Sequence, residues 1–157
     1  MPAERRPTYR SKTVATWLAL LGGSLGLHRF YLYGFGDRLG WLHPWPTLLG
    51  LIGLQRMQDL GQDDRVAWVL IPLLGLMLAQ AMLQAIVWGL TPDEKCNARF
   101  NASGPAHRSG WGVVIGVALS LLIGAGVLMA TIAFATQRYF EASLAAPDSD
   151  GGHTSVP

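Results

Sequence analysis

Val14-Ala15-Thr16-Trp17-Leu18-Ala19-Leu20-Leu21-Gly22-Gly23-Ser24-Leu25-Gly26-Leu27 contains no charge, and His28-Arg29-Phe30-Tyr31-Leu32 follows it directly. Arg5, Arg6, Arg10 and Lys12 stand ahead of it. Positive charge before an apolar run and an Arg-aromatic cluster after it mark a helix embedded in lipid, because a guanidinium reaches for phosphates while aromatic rings settle in the boundary layer. The stretch therefore sets the class: an all-α integral membrane protein, a helical bundle whose solvent is the bilayer.

The remainder of the chain repeats the theme. Half of its 157 residues are apolar and 14% are charged. Charged residues are absent from Leu39 to Gln55, from Val66 to Pro92 and from Ser109 to Gln137. Four segments are expected, over 13–32, 39–59, 67–90 and 111–137. At about 1.5 Å of rise per residue the last two exceed the roughly 30 Å hydrocarbon core. The second is interrupted by His43-Pro44-Trp45-Pro46, with Pro46 suited to the first turn of a helix that ends near Asp59. Two architectures follow: four spans in two helical hairpins, or three spans with segment 39–59 re-entrant. Along the chain this gives a basic cytoplasmic tail (1–12), a first hairpin (13–60), a second helix pair (61–140) and a disordered tail rich in Asp, Gly, Ser and Pro (141–157). Trp17, Trp41, Trp45, Trp68, Trp88 and Trp111 all fall near span ends, where indole is favoured.

Composition excludes several function classes. A net charge of +2 and a pI near 9 fit loops beside membrane helices, and no basic stripe marks a nucleic-acid partner. Cys96 is the single cysteine, so one chain forms no disulfide and no Cys-based metal site. It lies outside in the four-span architecture and inside in the three-span one. His28, His43, His107 and His153 lack metal-ligand spacing, and no Ser or Cys has an adjacent base. No catalytic residues, metal or cofactor are assigned, and the partners expected are the lipid bilayer and a second copy or another membrane protein. Ser24-Leu25-Gly26 is a poor leader-cleavage site, so the first span stays attached. Counting basic residues gives seven inside and five outside for an inside N-terminus in both architectures, which favours a cytoplasmic N-terminus without choosing between them.

Arg10-Ser11-Lys12-Thr13-Val14-Ala15, then Leu20-Leu21-Gly22-Gly23-Ser24-Leu25-Gly26-Leu27-His28-Arg29-Phe30-Tyr31-Leu32-Tyr33-Gly34, resembles the TM2 domain family. That family shows a basic Ser-Lys entry, a Gly-rich first helix, a His- or Asp-Arg-Phe-Tyr-Leu-Gly turn and a second helix. The resemblance covers roughly residues 10–60, with Gly26, His28, Arg29, Phe30, Tyr31 and Leu32 as the turn motif. Tyr33 interrupts the usual Leu-Gly pair, and the family's Trp-x-x-x-Asp close is only echoed by Gln55-Arg56-Met57-Gln58-Asp59-Leu60. The resemblance implies a small multi-pass protein of a bacterial cytoplasmic membrane and no reaction.

Other residues raise specific expectations. Gly112, Gly116, Ser120 and Gly124 form a strip of small residues, which with Gly22 and Gly26 allows close helix packing, within the chain or between copies. Gln80 and Gln84 share one face deep in the membrane and are expected to bond Ser120 or Thr131, or else to line a polar path. Asp59 is expected to pair with Arg10 or Lys12 across the first hairpin. His28 is assigned turn-setting ahead of proton sensing. The functional expectation is a non-enzymatic structural or interaction component of the cytoplasmic membrane, with a small transporter or channel subunit as the alternative.

Overall fold

A computed structural model describes residues 9–102 and 108–144. Its elements are α1 (Lys12–Gly22), a 3-10 turn (Gly23–Leu25), α2 (Leu27–Tyr33), α3 (Arg38–Leu42), α4 (Pro44–Leu60), α5 (Arg65–Leu90), α6 (Asp93–Phe100) and α7 (Trp111–Leu144). The described residues contain no strand. Two helices, α5 and α7, are long and apolar enough to cross a membrane. The disordered tail expected from 141 starts too early, because α7 continues to Leu144; residues 145–157 and the first eight of the basic tail lie outside the described residues.

Helix α5 is the axis of the bundle. Helix α4 runs antiparallel to it so closely that a Cβ added at Gly50 would strike Leu74, and one at Gly53 would strike Leu70. Helix α7 packs on another side, where a Cβ at Gly124 would come within 2.8 Å of Met82, and one at Gly89 of α5 would meet Val117. Small residues bring these backbones together, as apolar helices in lipid require. The Pro at the start of α4 and the carboxylate caps of α3 and α5 place the helix starts where the sequence signals them.

The run that opens the chain is not one helix. Gly22, Gly23 and Ser24 are poor helix formers, and Gly26 adopts φ 78°, a left-handed conformation that ends the helix and redirects the chain. A Cβ at Gly23 would lie 2.9 Å from that of Ala81, nine residues before the end of α5, or about 14 Å along its axis. From there α2 returns: the Tyr31 hydroxyl accepts a hydrogen bond from the Ser11 N–H at 2.8 Å, beside the first residue of α1. The expected span over 13–32 is therefore a hairpin of two short helices. Within the interrupted segment 38–60 it is α4 that packs along α5, with Gly50 against Leu74 and Gly53 against Leu70, while Gly40 of α3 faces Phe30 of α2.

Candidate functional site

Three places hold most of the residues singled out in the sequence. At the reversal, the Thr47 hydroxyl donates to the carbonyl of Ser24 at 2.7 Å, tying α4 to the 3-10 turn. A Cβ at Gly26 would sit 2.6 Å from the Gly40 carbonyl, so only glycine fits between α2 and α3. His28 is 1% exposed, its ring edge-on to His43 at 6.0 Å, and neither of its nitrogens has a hydrogen-bond partner among the described residues. Leu32 is likewise buried, while Phe30 stacks on Phe35 and meets Trp41 edge-on. The motif residues thus divide by face, with His28 and Leu32 inward and Arg29 and Phe30 toward the turn.

The second place is a latch at the N-terminus. Lys12 Nζ bonds Asp93 at 2.9 Å, and the Ser109 backbone N–H and hydroxyl donate to the same carboxylate. These bonds, first from Ser109 and then from Lys12, hold the Asp93 carboxyl down at about 2. The Arg10 N–H donates to the Asn101 side chain, whose amide returns a bond to the Arg10 carbonyl. The pairing expected between Asp59 and Arg10 or Lys12 is overturned, because Asp59 is exposed at the opposite end of the bundle. Cys96 is buried beneath the latch, and burial pushes its thiol pKa up.

The third place is the flank of α5 and α7. Gln80 lines a groove of about 430 Å³ whose other walls include Leu76, Leu83, Leu121 and Leu128. The bond expected from Gln80 or Gln84 to Ser120 or Thr131 does not form. Ser120 donates to Gly116 O and Thr131 to Val127 O, each within its own helix. The small strip of α7 is already occupied: Gly112 and Gly116 face Thr13, Thr16 and Trp17 of α1, Gly124 faces Met82, and Ser120 is fully buried. The Trp17 indole donates to Gly112 O at 3.2 Å. Gly22 folds onto Leu27 across the reversal.

Two turns at opposite ends prove to be built alike. In the first, Arg29 Nε bonds Asp37 Oδ2 at 2.6 Å, Asp37 Oδ1 caps Leu39 N at 3.3 Å, and the Trp41 indole donates to Phe35 O at 3.0 Å. In the second, Arg56 Nε bonds Asp64 Oδ2 at 2.8 Å, Asp64 Oδ1 caps Val66 N at 3.3 Å, and the Trp68 indole donates to Gln62 O at 2.6 Å. Gly34 and Gly61 take the matching left-handed positions, φ 84° and 91°. In both turns the Arg hydrogen bond holds the Asp carboxyl below its ordinary range. Arg29-x4-Gly34-x2-Asp37-Arg38-x2-Trp41 and Arg56-x4-Gly61-x2-Asp64-Arg65-x2-Trp68 are one pattern repeated twenty-seven residues apart, and Leu21, Gly23, Gly26 and Leu27 recur as Leu48, Gly50, Gly53 and Leu54. Sliding the sequence over itself exposes this repeat, which apolar runs and single motifs hide.

No family model, no curated protein and no solved structure matches this chain.

Proposed function

We propose that the chain is a multi-pass protein of the cytoplasmic membrane with a non-enzymatic structural or interaction role, in which 38–60, α5 and α7 cross and α1–α2 is re-entrant. The observation that carries this is the exposure of the apolar side chains. Only 17% of the most apolar window of α5, and 17% of that of α7, is buried in the bundle. Leu83, Leu122 and Met129 are among the large apolar residues left facing outward, which in water would be an aggregation surface. Trp68 and Trp88 on α5 are about 30 Å apart at 1.5 Å per residue, a spacing that matches the hydrocarbon thickness. The TM2-like assignment of residues 10–60 belongs to the same proposal, and the motif from Gly26 to Leu32 is then the returning limb of the re-entrant hairpin.

Orientation follows from this path. Among the described residues Arg10, Lys12, Arg29, Arg38, Lys95, Arg99 and Arg108 lie at one end, and Arg56, Arg65 and Arg138 at the other. Seven against three favours the first end as cytoplasmic. The α5–α7 groove is walled almost wholly by apolar side chains, which favours packing over a hydrated path and hence the interaction role over a channel.

The test uses Cys96→Ser protein carrying a cysteine at Lys95 or at Asp63, both exposed positions. In intact cells an impermeant thiol reagent labels position 63 and spares position 95. Labelling of both, or of 95 alone, defeats the three-crossing path. Extraction of the wild-type chain from membranes by alkaline carbonate defeats the membrane assignment itself. Native Cys96 does not serve as the reporter, because its buried thiol is shielded from the reagent on either side.

A further inference from the structure

Of the five positions shared by the two turns, four are used inside the turn itself. The first Arg binds the Asp, the Gly supplies the left-handed corner, the Asp also caps the following helix, and the Trp ties that helix back to a carbonyl. The fifth is Arg38 in one turn and Arg65 in the other. Both are exposed, and neither has a hydrogen bond, ion pair or ring contact among the described residues.

Internal explanations for this recurring Arg fail one after another. It opens α3 in one turn and α5 in the other, where a cation opposes the helix dipole and weakens the helix. Setting orientation does not account for its recurrence, since basic residues that orient a chain collect on one side, whereas Arg38 and Arg65 stand at opposite ends of the bundle. Nor is it a generic polar surface residue of the turn. Exposed neighbours change between the copies, Phe35 to Gln62 and Gly36 to Asp63, while the Arg is retained three positions before the Trp. Outside a membrane protein, both ends meet water and a layer of phosphates, and of the two only the phosphates carry the charge opposite to a guanidinium.

We propose that Arg38 and Arg65 each bind the phosphodiester of a phospholipid headgroup, one in each leaflet, so that the repeated turn is a lipid-phosphate clip used twice. A guanidinium offers two parallel N–H donors that fit two phosphate oxygens. The neighbouring Arg29 and Arg56 are already neutralised by Asp37 and Asp64, which leaves Arg38 and Arg65 as the free cations of their turns. The inference rests on the membrane reading above and adds the ligand and its place.

The experiment is native mass spectrometry of the full chain released from detergent after titration with phosphatidylglycerol, comparing wild type, Arg38→Gln, Arg65→Gln and the double variant. The expected result is one fewer retained lipid in each single variant and two fewer in the double variant. The lipid-free melting temperature should stay at the wild-type value, since both side chains are exposed. Equal lipid counts in wild type and double variant overturn the clip. Displacement of the lipid by an equal concentration of inorganic phosphate also overturns it, by showing a site for a free oxyanion. Release of wild type by carbonate sinks the membrane reading, whereas a carbonate-resistant chain with unchanged lipid counts sinks this inference alone.

Discussion

The turn from Arg29 to Trp41 and the turn from Arg56 to Trp68 share their ion pair, corner, cap and indole bond, yet they end different limbs. The limb leading to the second turn, α4, is a continuous helix from Pro44 to Leu60; the limb leading to the first is broken and only seven residues long, Leu27–Tyr33. The cause lies just upstream, where Gly22-Gly23-Ser24 stands in one copy and Leu49-Gly50-Leu51 in the other. One extra glycine and a serine in place of two leucines weaken the helix at that level, and Gly26 then turns left-handed while its counterpart Gly53 stays helical against Leu70. A corner can thus be duplicated intact while the depth of the limb before it is reset by two residues.

Substitution at Gly26 has the largest expected effect. Gly26→Ala imposes a left-handed L-residue, about 1–2 kcal/mol, and also drives a methyl against the Gly40 carbonyl, so melting in detergent should show a loss well beyond that strain. A melting temperature within error of wild type would show that the reversal is not built on this glycine. Gly34→Ala and Gly61→Ala come next. Both corners are open to an added Cβ, so each should cost only the backbone strain of a positive-φ extended residue, about 1–3 kcal/mol, and the two costs should be equal. Unequal losses would mean that the turns are alike in form but not in energetics.

Asp37→Asn and Asp64→Asn sharpen the contrast further. Both remove a cap and an ion pair, and Asp64 should matter more because Arg56 donates to both of its oxygens whereas Arg29 donates to one oxygen of Asp37. Acid should act in the same direction. Asp37, Asp64 and Asp93 have depressed folded pKa values, about 2 for Asp93. Their stabilisation is complete above the ordinary carboxylate pKa of about 4 and is lost as pH falls toward the folded values. Melting temperature should therefore hold level near neutrality and decline from about pH 4 toward pH 2, with a shallower decline in Asp93→Asn. The smallest effect belongs to Asp59→Asn, an exposed carboxylate that should leave the melting curve unmoved.

Much of this was legible in the sequence. The apolar runs gave α5 and α7, and Pro44 and Pro46 sit in the first turn of α4 as their chemistry demands. The Arg-aromatic motif lies where the chain turns back. Whether a glycine-rich run spans or reverses was not legible, because apolarity is identical in both cases and the outcome depends on what Gly23, Gly26 and Thr47 meet in α5, α3 and the Ser24 carbonyl. Partners for Lys12 and Asp59 were misassigned for the same reason: a first segment that crosses brings its start to Asp59, and one that reverses brings its start to Asp93.

The reversal at Gly26 carries one more consequence. On the path proposed above, a limb that enters and leaves by the same face adds nothing to the tally of traversals, and the total is odd. The two extremities of the polypeptide then open into different compartments, and a fluorescent domain fused to one end would glow in an environment that the same domain on the other end never samples.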